Sequence, residues 1–303
     1  MGKTFYHASH FKHSLKKRSP RRYKRVSQVI RDDSLRIASH AKPADPVLYK
    51  YWRFRHNLFS LIDGNQIYMT HELWFSVTPE SIAAFFANFV RACIPEAQVV
   101  LDVFCGGGGN TIQFAKQFSK VYGIDFSLEH LYCTAQNAKV YNVADRVWLK
   151  YGPWEKISKR GAFDDIKVDC IFASPPWGGP SYLKQDTYDL EKHLQPMGIT
   201  KLLESMFKIS KNVILFLPRN SDLNQLSRVT RKLLGTESKC RVLYVKENGH
   251  LKGLVGIWGD ALVNYDPVPA APEVAAPKED GSKTADKTIN ERAIPASFYD
   301  MDA

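Results

Sequence analysis

The sequence predicts a doubly wound, mainly parallel α/β sheet of seven strands, with a small helical lobe ahead of it. Two observations carry this. Short apolar runs alternate with stretches of helical periodicity, the pattern of parallel strands buried on both faces and joined by crossover helices. The last two runs flank Glu247, Asn248 and Gly249, turn chemistry that makes them a closing hairpin.

Taken in order, residues 99–104 form a first strand ended by Cys105 and four glycines. Residues 110–119 follow as a short helix, with Ile112, Phe114, Ala115 and Phe118 at a mostly helical spacing. Residues 121–125 are the second strand, 128–141 the second helix and 147–151 the third strand. Residues 170–173 and 213–217 make the fourth and fifth, and 241–246 with 254–258 close the sheet. Ligands of such sheets sit at the carboxyl ends of the strands.

Composition bounds the rest. With 44% hydrophobic residues the chain has a sizeable core, and no apolar run approaches the roughly 18 residues of a membrane span. Five scattered cysteines without a C-x-x-C pair fit free thiols in a reducing compartment and give no support for a metal site. The net charge of +11 is local: residues 1–55 hold 15 Lys and Arg against 3 Asp and Glu, whereas the remainder holds 27 against 28. Four segments are expected: a disordered basic arm over 1–45, a helical, aromatic lobe over 46–95, the sheet domain over 96–265, and a disordered Pro/Ala-rich tail over 266–303. The arm's dense run from Lys16 to Arg25 resembles a nuclear import signal and would attract nucleic acid. On this reading its removal leaves turnover of a small substrate intact.

Asp102, Cys105, Gly106 and Asn110 lie on a strand–glycine loop–helix start. Glycines let a ligand approach the main chain, and the helix N-terminus offers unpaired N–H groups. Dinucleotide enzymes also use such loops, but the spacing meets G-x-G-x-x-G only loosely. Asp102 would repel a pyrophosphate and suit the ammonium of a methionine moiety. Asp125, ending the next strand, is placed to accept from ribose hydroxyls, or else caps the helix beginning near Ser127.

Ser174, Pro175, Pro176 and Trp177 follow the fourth strand at the same edge. Two prolines stiffen the turn and remove two N–H donors, so it presents acceptors. That suits methylation of an exocyclic base amine: Ser174 Oγ and the Pro175 carbonyl would accept from its N–H groups, while Trp177 stacks the base. A plain strand-ending turn with a core Trp is the bland alternative.

These motifs, with Lys50, Tyr51 and Trp52, the stretch from Trp74 to Glu80, and Phe216 to Asn220, resemble the trimethylguanosine synthases in their compact yeast-type form, over about residues 46–265. The resemblance implies a class I (Rossmann-like) methyltransferase that uses S-adenosylmethionine to place two methyl groups in succession on N2 of a 7-methylguanosine cap. Its substrates would be small nuclear and nucleolar RNAs, with RNP core proteins as partners, and it would work as a monomer in the nucleus and nucleolus without metal. It places Trp177, Trp74 and Ser76 in the cap pocket, and Lys50, Tyr182 and Arg219 on the cap phosphates. Phe59, Thr78, Asp102, Asp125 and Trp154 would surround the cofactor, Trp154 packing on the adenine. The unbroken run of glycines departs from the family pattern and suggests a more flexible loop. An amino-methyltransferase for rRNA or DNA bases, or an inactive cap-binding scaffold, stand as alternatives.

Overall fold

The computed structural model describes residues 4–31, 43, 45–64, 66–179, 182, 185–247 and 249–266; the tail expected from 266 lies, from 267 onward, outside them. The strands are β1 (Tyr6–His7), β2 (Val99–Val103), β3 (Lys120–Asp125), β4 (Val147–Tyr151), β5 (Cys170–Ala173), β6 (Val213–Leu217), β7 (Arg241–Glu247) and β8 (His250–Trp258). Helices α1 (Phe11–Arg18) and α2 (Pro20–Arg31) come first, then α3 (Tyr49–Arg53), α4 (Arg55–Leu58), α5 (Leu73–Ser76) and α6 (Glu80–Cys93). Within and after the sheet come α7 (Gly109–Gln117), α8 (Leu128–Val140), α9 (Trp154–Lys159), α10 (Ile199–Phe207), α11 (Leu223–Leu234) and α12 (Asp260–Val263).

The strands form one sheet in the order β1-β4-β3-β2-β5-β6-β8-β7, parallel from β4 through β6 and antiparallel at both ends. Seven strands were expected; the eighth, β1, comes from the basic arm. Two apolar cores cover the two faces. One takes Phe86 of α6, Phe114 of α7 and Leu131 of α8; the other takes Ile157 of α9, Leu202 of α10 and Leu226 of α11. Strand order reverses between β2 and β5, so the crevice for ligands opens above that pair.

The expectation of a disordered arm is corrected over residues 4–31. There β1 pairs with β4, and Tyr6, Phe11, Leu15 and Val26 are buried in the same core as α8. The four apolar residues are sparse, but Phe11 and Leu15 share one face of α1, and one face is enough to dock an otherwise charged helix. Deleting residues 1–31 should therefore cost stability. Burial of large apolar side chains stabilises by about 1.5–3 kcal/mol each, so a loss on the order of 5 kcal/mol is expected, read as a lower thermal midpoint. An unchanged midpoint would show that the segment is not part of the core.

Candidate active site

Register brings the glycine loop and the proline turn side by side. Val103 pairs with Ala173 on one flank and Ile124 on the other, so the chain leaving β2 runs between Ser174 and Asp125 at the carboxyl edge. The chain turns sharply there: Phe104 has φ 67°, Gly106 54° and Gly108 89°.

The glycine run is close-packed, contrary to the flexible loop its composition suggests. A Cβ on Gly107 would meet Leu73 at 3.2 Å and Val77 at 3.3 Å, and one on Gly108 would meet the Thr134 backbone at 3.2 Å. The lobe segment at α5 thus lies on one side of the loop and α8 on the other. Three side chains of α8, spaced along one face, hold it. Thr134 donates to the Gly106 carbonyl at 2.7 Å, and His130 lies 3.3 Å from Asp125 and 3.3 Å from Thr70. Asn137 donates to the carbonyls of Gly107 and Tyr68 at 2.9 Å each and accepts from the Tyr68 N–H at 2.8 Å. One buried amide therefore ties the N-terminal lobe to the loop. None of these three was singled out from the sequence.

Asp102 is wholly buried. One of its oxygens accepts from the Thr111 hydroxyl, while Oδ1 is buried without a partner among the described residues. Burial pushes its carboxyl up to about 7, opposed by the Thr111 bond and assisted by the nearby Asp125 charge. Asn110 donates to Thr78 Oγ1 at 3.0 Å and likewise leaves Oδ1 buried and unpartnered. Two orphaned acceptors beside a glycine loop fit a ligand carrying ammonium or hydroxyl donors, since a buried acceptor left unpaired costs about 1–3 kcal/mol. Cys105 is buried, and its thiol is pushed well up by burial and the carboxylates beside it, so it acts as packing.

Asp125 is buried, and its carboxylate is engaged both at the start of α8 and at the glycine loop. Its Oδ1 accepts from the Ser127 N–H at 2.7 Å at the start of α8, and its Oδ2 from the Gly106 N–H at 3.0 Å. A carboxylate has further lone pairs to offer ribose hydroxyls. For His130, burial works against the charged form, but the Asp125 bond and the charges of Asp125, Glu72 and Glu129 win and raise its pKa.

Trp177 is half-buried between two rings. Its indole N–H donates to the Phe216 carbonyl at 3.3 Å, and its ring stands edge-to-face with Phe216 at 5.2 Å and Tyr182 at 5.4 Å. Pro175 is buried and Ser174 is partly exposed. Arg219, exposed just past β6, pulls the Tyr182 phenol down while burial, the larger effect, and Tyr51 push it up. Lys50 lies 4.7 Å above the Tyr51 ring, and Tyr51 meets Phe75 edge-to-face. Arg219 and Tyr51 both act electrostatically on Tyr182. Asn220 fastens this corner by donating to the carbonyls of Tyr182 and Gln185.

The other expected residues have the following surroundings. Trp154 is 1% exposed, its indole donating to Ser205 of α10 at 2.7 Å, so both faces belong to the core and none is left for an adenine. Phe59 is buried near Tyr141, at the end of α8 remote from Asp125. Trp74 is buried in the core beside the loop, and Ser76, exposed, donates to the Glu72 carbonyl. Among the described residues no cluster of His, Cys, Asp or Glu is arranged to hold a metal ion, and no helix is long and apolar enough to cross a membrane.

A parallel sheet with a glycine loop, a carboxylate on each of two adjacent strands and a Ser-Pro-Pro-Trp turn at its switch point defines a class I methyltransferase. The family profile described as RNA cap guanine-N2 methyltransferase matches residues 97–261. The chain is 59% identical over 268 residues to the trimethylguanosine synthase of Saccharomyces cerevisiae, covering 88% of this chain and 85% of that one. With the Schizosaccharomyces pombe trimethylguanosine synthase it shares 36% identity over 66% of this chain and 82% of that one. A solved candidate methyltransferase from Porphyromonas gingivalis W83 shares the fold alone, at TM-score 0.54 and 14% identity over 84% of this chain and 57% of that one. This chain belongs to the RNA cap guanine-N2 methyltransferase family, and its activity is methylation of the cap guanine at N2.

Proposed function

We propose that the protein uses S-adenosylmethionine to add two methyl groups in succession to N2 of a 7-methylguanosine cap, yielding a 2,2,7-trimethylguanosine cap on small nuclear and nucleolar RNAs. The observation that carries this is that sheet register sets the Trp177 turn beside the glycine loop at one sheet edge, with Tyr182 against Trp177 and the charge of Arg219 acting on Tyr182. Asp102 Oδ1 and Asn110 Oδ1 would hold polar groups of the cofactor, and Asp125 its ribose. When bound, that cofactor supplies an electrophilic methyl group.

The chain's own residues supply position. The N2 lone pair is delocalised into the ring, so the amine reacts only when held at the right distance and angle. Ser174 Oγ and the Pro175 carbonyl accept from its N–H groups, and the two prolines keep both acceptors fixed. Trp177, anchored through Phe216, stacks a base that N7-methylation has made cationic, which favours it over plain guanine. Lys50 and Arg219 neutralise the cap phosphates. No His or Lys stands in the turn to take the proton from N2, which leaves to solvent.

Nuclear and nucleolar residence, and contact with RNP core proteins, belong to the same proposal and rest on the basic run of α1 and α2. Incubation with capped and uncapped RNAs of one sequence tests the reading: methylation confined to the 7-methylguanosine-capped strand is expected, and equal methylation of the uncapped one would overturn it.

A further inference from the structure

A second, one-signed site lies on the N-terminal segment, apart from the glycine loop and the proline turn. Lys12, Lys16 and His13 of α1, His10 just before it, Tyr23 of α2 and Lys139 of α8 line a cleft of about 330 Å³. Lys12 and Lys16 are one helical turn apart and share a face. Phe11 and Leu15, each one position earlier, are buried, and this packing fixes which way the lysines point. Lys139 comes from the last turn of α8, where a cation is favoured by the helix dipole. Lys16 lies 6.0 Å from the centre of the Tyr23 ring. Among the described residues no ion pair engages Lys12, Lys16 or Lys139. Partial burial and the like charge of Lys12 lower the Lys139 pKa, a repulsion that an anion in the cleft would relieve.

We propose that this cleft grips backbone phosphates of the substrate RNA beyond its cap, an inference that rests on the capped-RNA reading above. A strand fits better than a small anion because the basic face continues. Along α2, Arg21, Arg22, Lys24 and Arg25 are exposed and lead towards the cofactor edge. There Arg22 stacks over Tyr151 at 4.6 Å and Arg25 pairs with Glu129 at 2.9 Å. Glu129 and Lys139 are ten residues apart on α8, so the cleft lies about 15 Å from that edge by helical rise. A cap dinucleotide bound at Trp177 falls short of it, whereas a chain of several nucleotides spans the distance, with Tyr23 a stacking platform on the way.

The test is the triple variant Lys12→Gln, Lys16→Gln, Lys139→Gln, all exposed positions, checked for an unchanged thermal midpoint. Turnover is measured on a 7-methylguanosine cap dinucleotide and on a capped RNA several tens of nucleotides long. The KM for the long RNA should rise on the order of tenfold, and the slope of log affinity against log salt should fall by about 2, roughly 0.7 for each lost phosphate contact on a single strand. The dinucleotide KM should stay within about twofold. An unchanged long-RNA KM and salt slope, or an equal loss on both substrates, overturns the proposal. So does inorganic polyphosphate binding at Lys12, Lys16 and Lys139 with no effect of the variant on RNA. Binding of the same RNA without a cap, by wild type and variant, reads the cleft even if the dinucleotide is not methylated, so failure of the cap reading is seen separately.

Discussion

Trp177→Ala is expected to lower kcat/KM for a 7-methylguanosine cap by roughly a hundredfold while cofactor affinity stays within about twofold. Stacking a base on an aromatic ring contributes about 1–3 kcal/mol, and a cationic, desolvated base gains up to about 2 kcal/mol more from the ring face. The indole is well fixed: the Phe216 carbonyl holds its N–H, and Phe216 and Tyr182 brace it at 5.2 and 5.4 Å. Its hydrogen bonds and ring contacts among the described residues are with Phe216, Tyr182 and Tyr188, so truncation should spare the cofactor. Trp177→Phe should recover part of the activity because a ring face remains. Titration calorimetry with S-adenosylhomocysteine separates the effects, and a large loss of affinity there would contradict the role assigned to Trp177.

Asp102→Asn should weaken cofactor binding by a factor of roughly 30 or more. Removing one charge from a buried, hydrogen-bonded pair costs about 2–5 kcal/mol. The isosteric amide can still accept from Thr111, so the fold should survive. A pH signature accompanies this. The Asp102 carboxyl ionises at about 7 in the free protein, against an ordinary value of 3.8. Below that point a cofactor ammonium must displace a proton, so affinity should rise up to about tenfold per pH unit as pH approaches 7, then level off. Stability of the ligand-free protein runs the other way: the folded state holds the extra proton, so this group costs stability as pH rises from about 4 to about 7, then no more. In Asp102→Asn both dependences should flatten. A wild-type affinity independent of pH over that window would place the ammonium elsewhere.

The central strands were legible because strands buried on both faces are mostly apolar: β5 and β6 are short unbroken runs of that kind, and β2 and β4 are each interrupted by a single charged residue, Asp102 and Lys150. The glycine loop and the proline turn were legible because each needs residue types that few other structures tolerate. The N-terminal segment was not, since its averaged charge hides Phe11 and Leu15, whose spacing was the signal that a face could dock. Trp154 shows the limit of resemblance: it marks an aromatic position without saying whether the ring lines a pocket or fills the core. His130, Thr134 and Asn137 had a readable sign, a polar stripe along an otherwise buried helix face, but the partners they bind are fixed only by tertiary packing.

The most direct measurement is mass analysis of a 7-methylguanosine cap dinucleotide after incubation with the protein and S-adenosylmethionine, with an unmethylated guanosine cap alongside. Products carrying first one and then two added methyl groups on the 7-methylated cap, and none on the unmethylated one, are the expected result. An unchanged 7-methylguanosine cap, or equal methylation of both, would contradict the account.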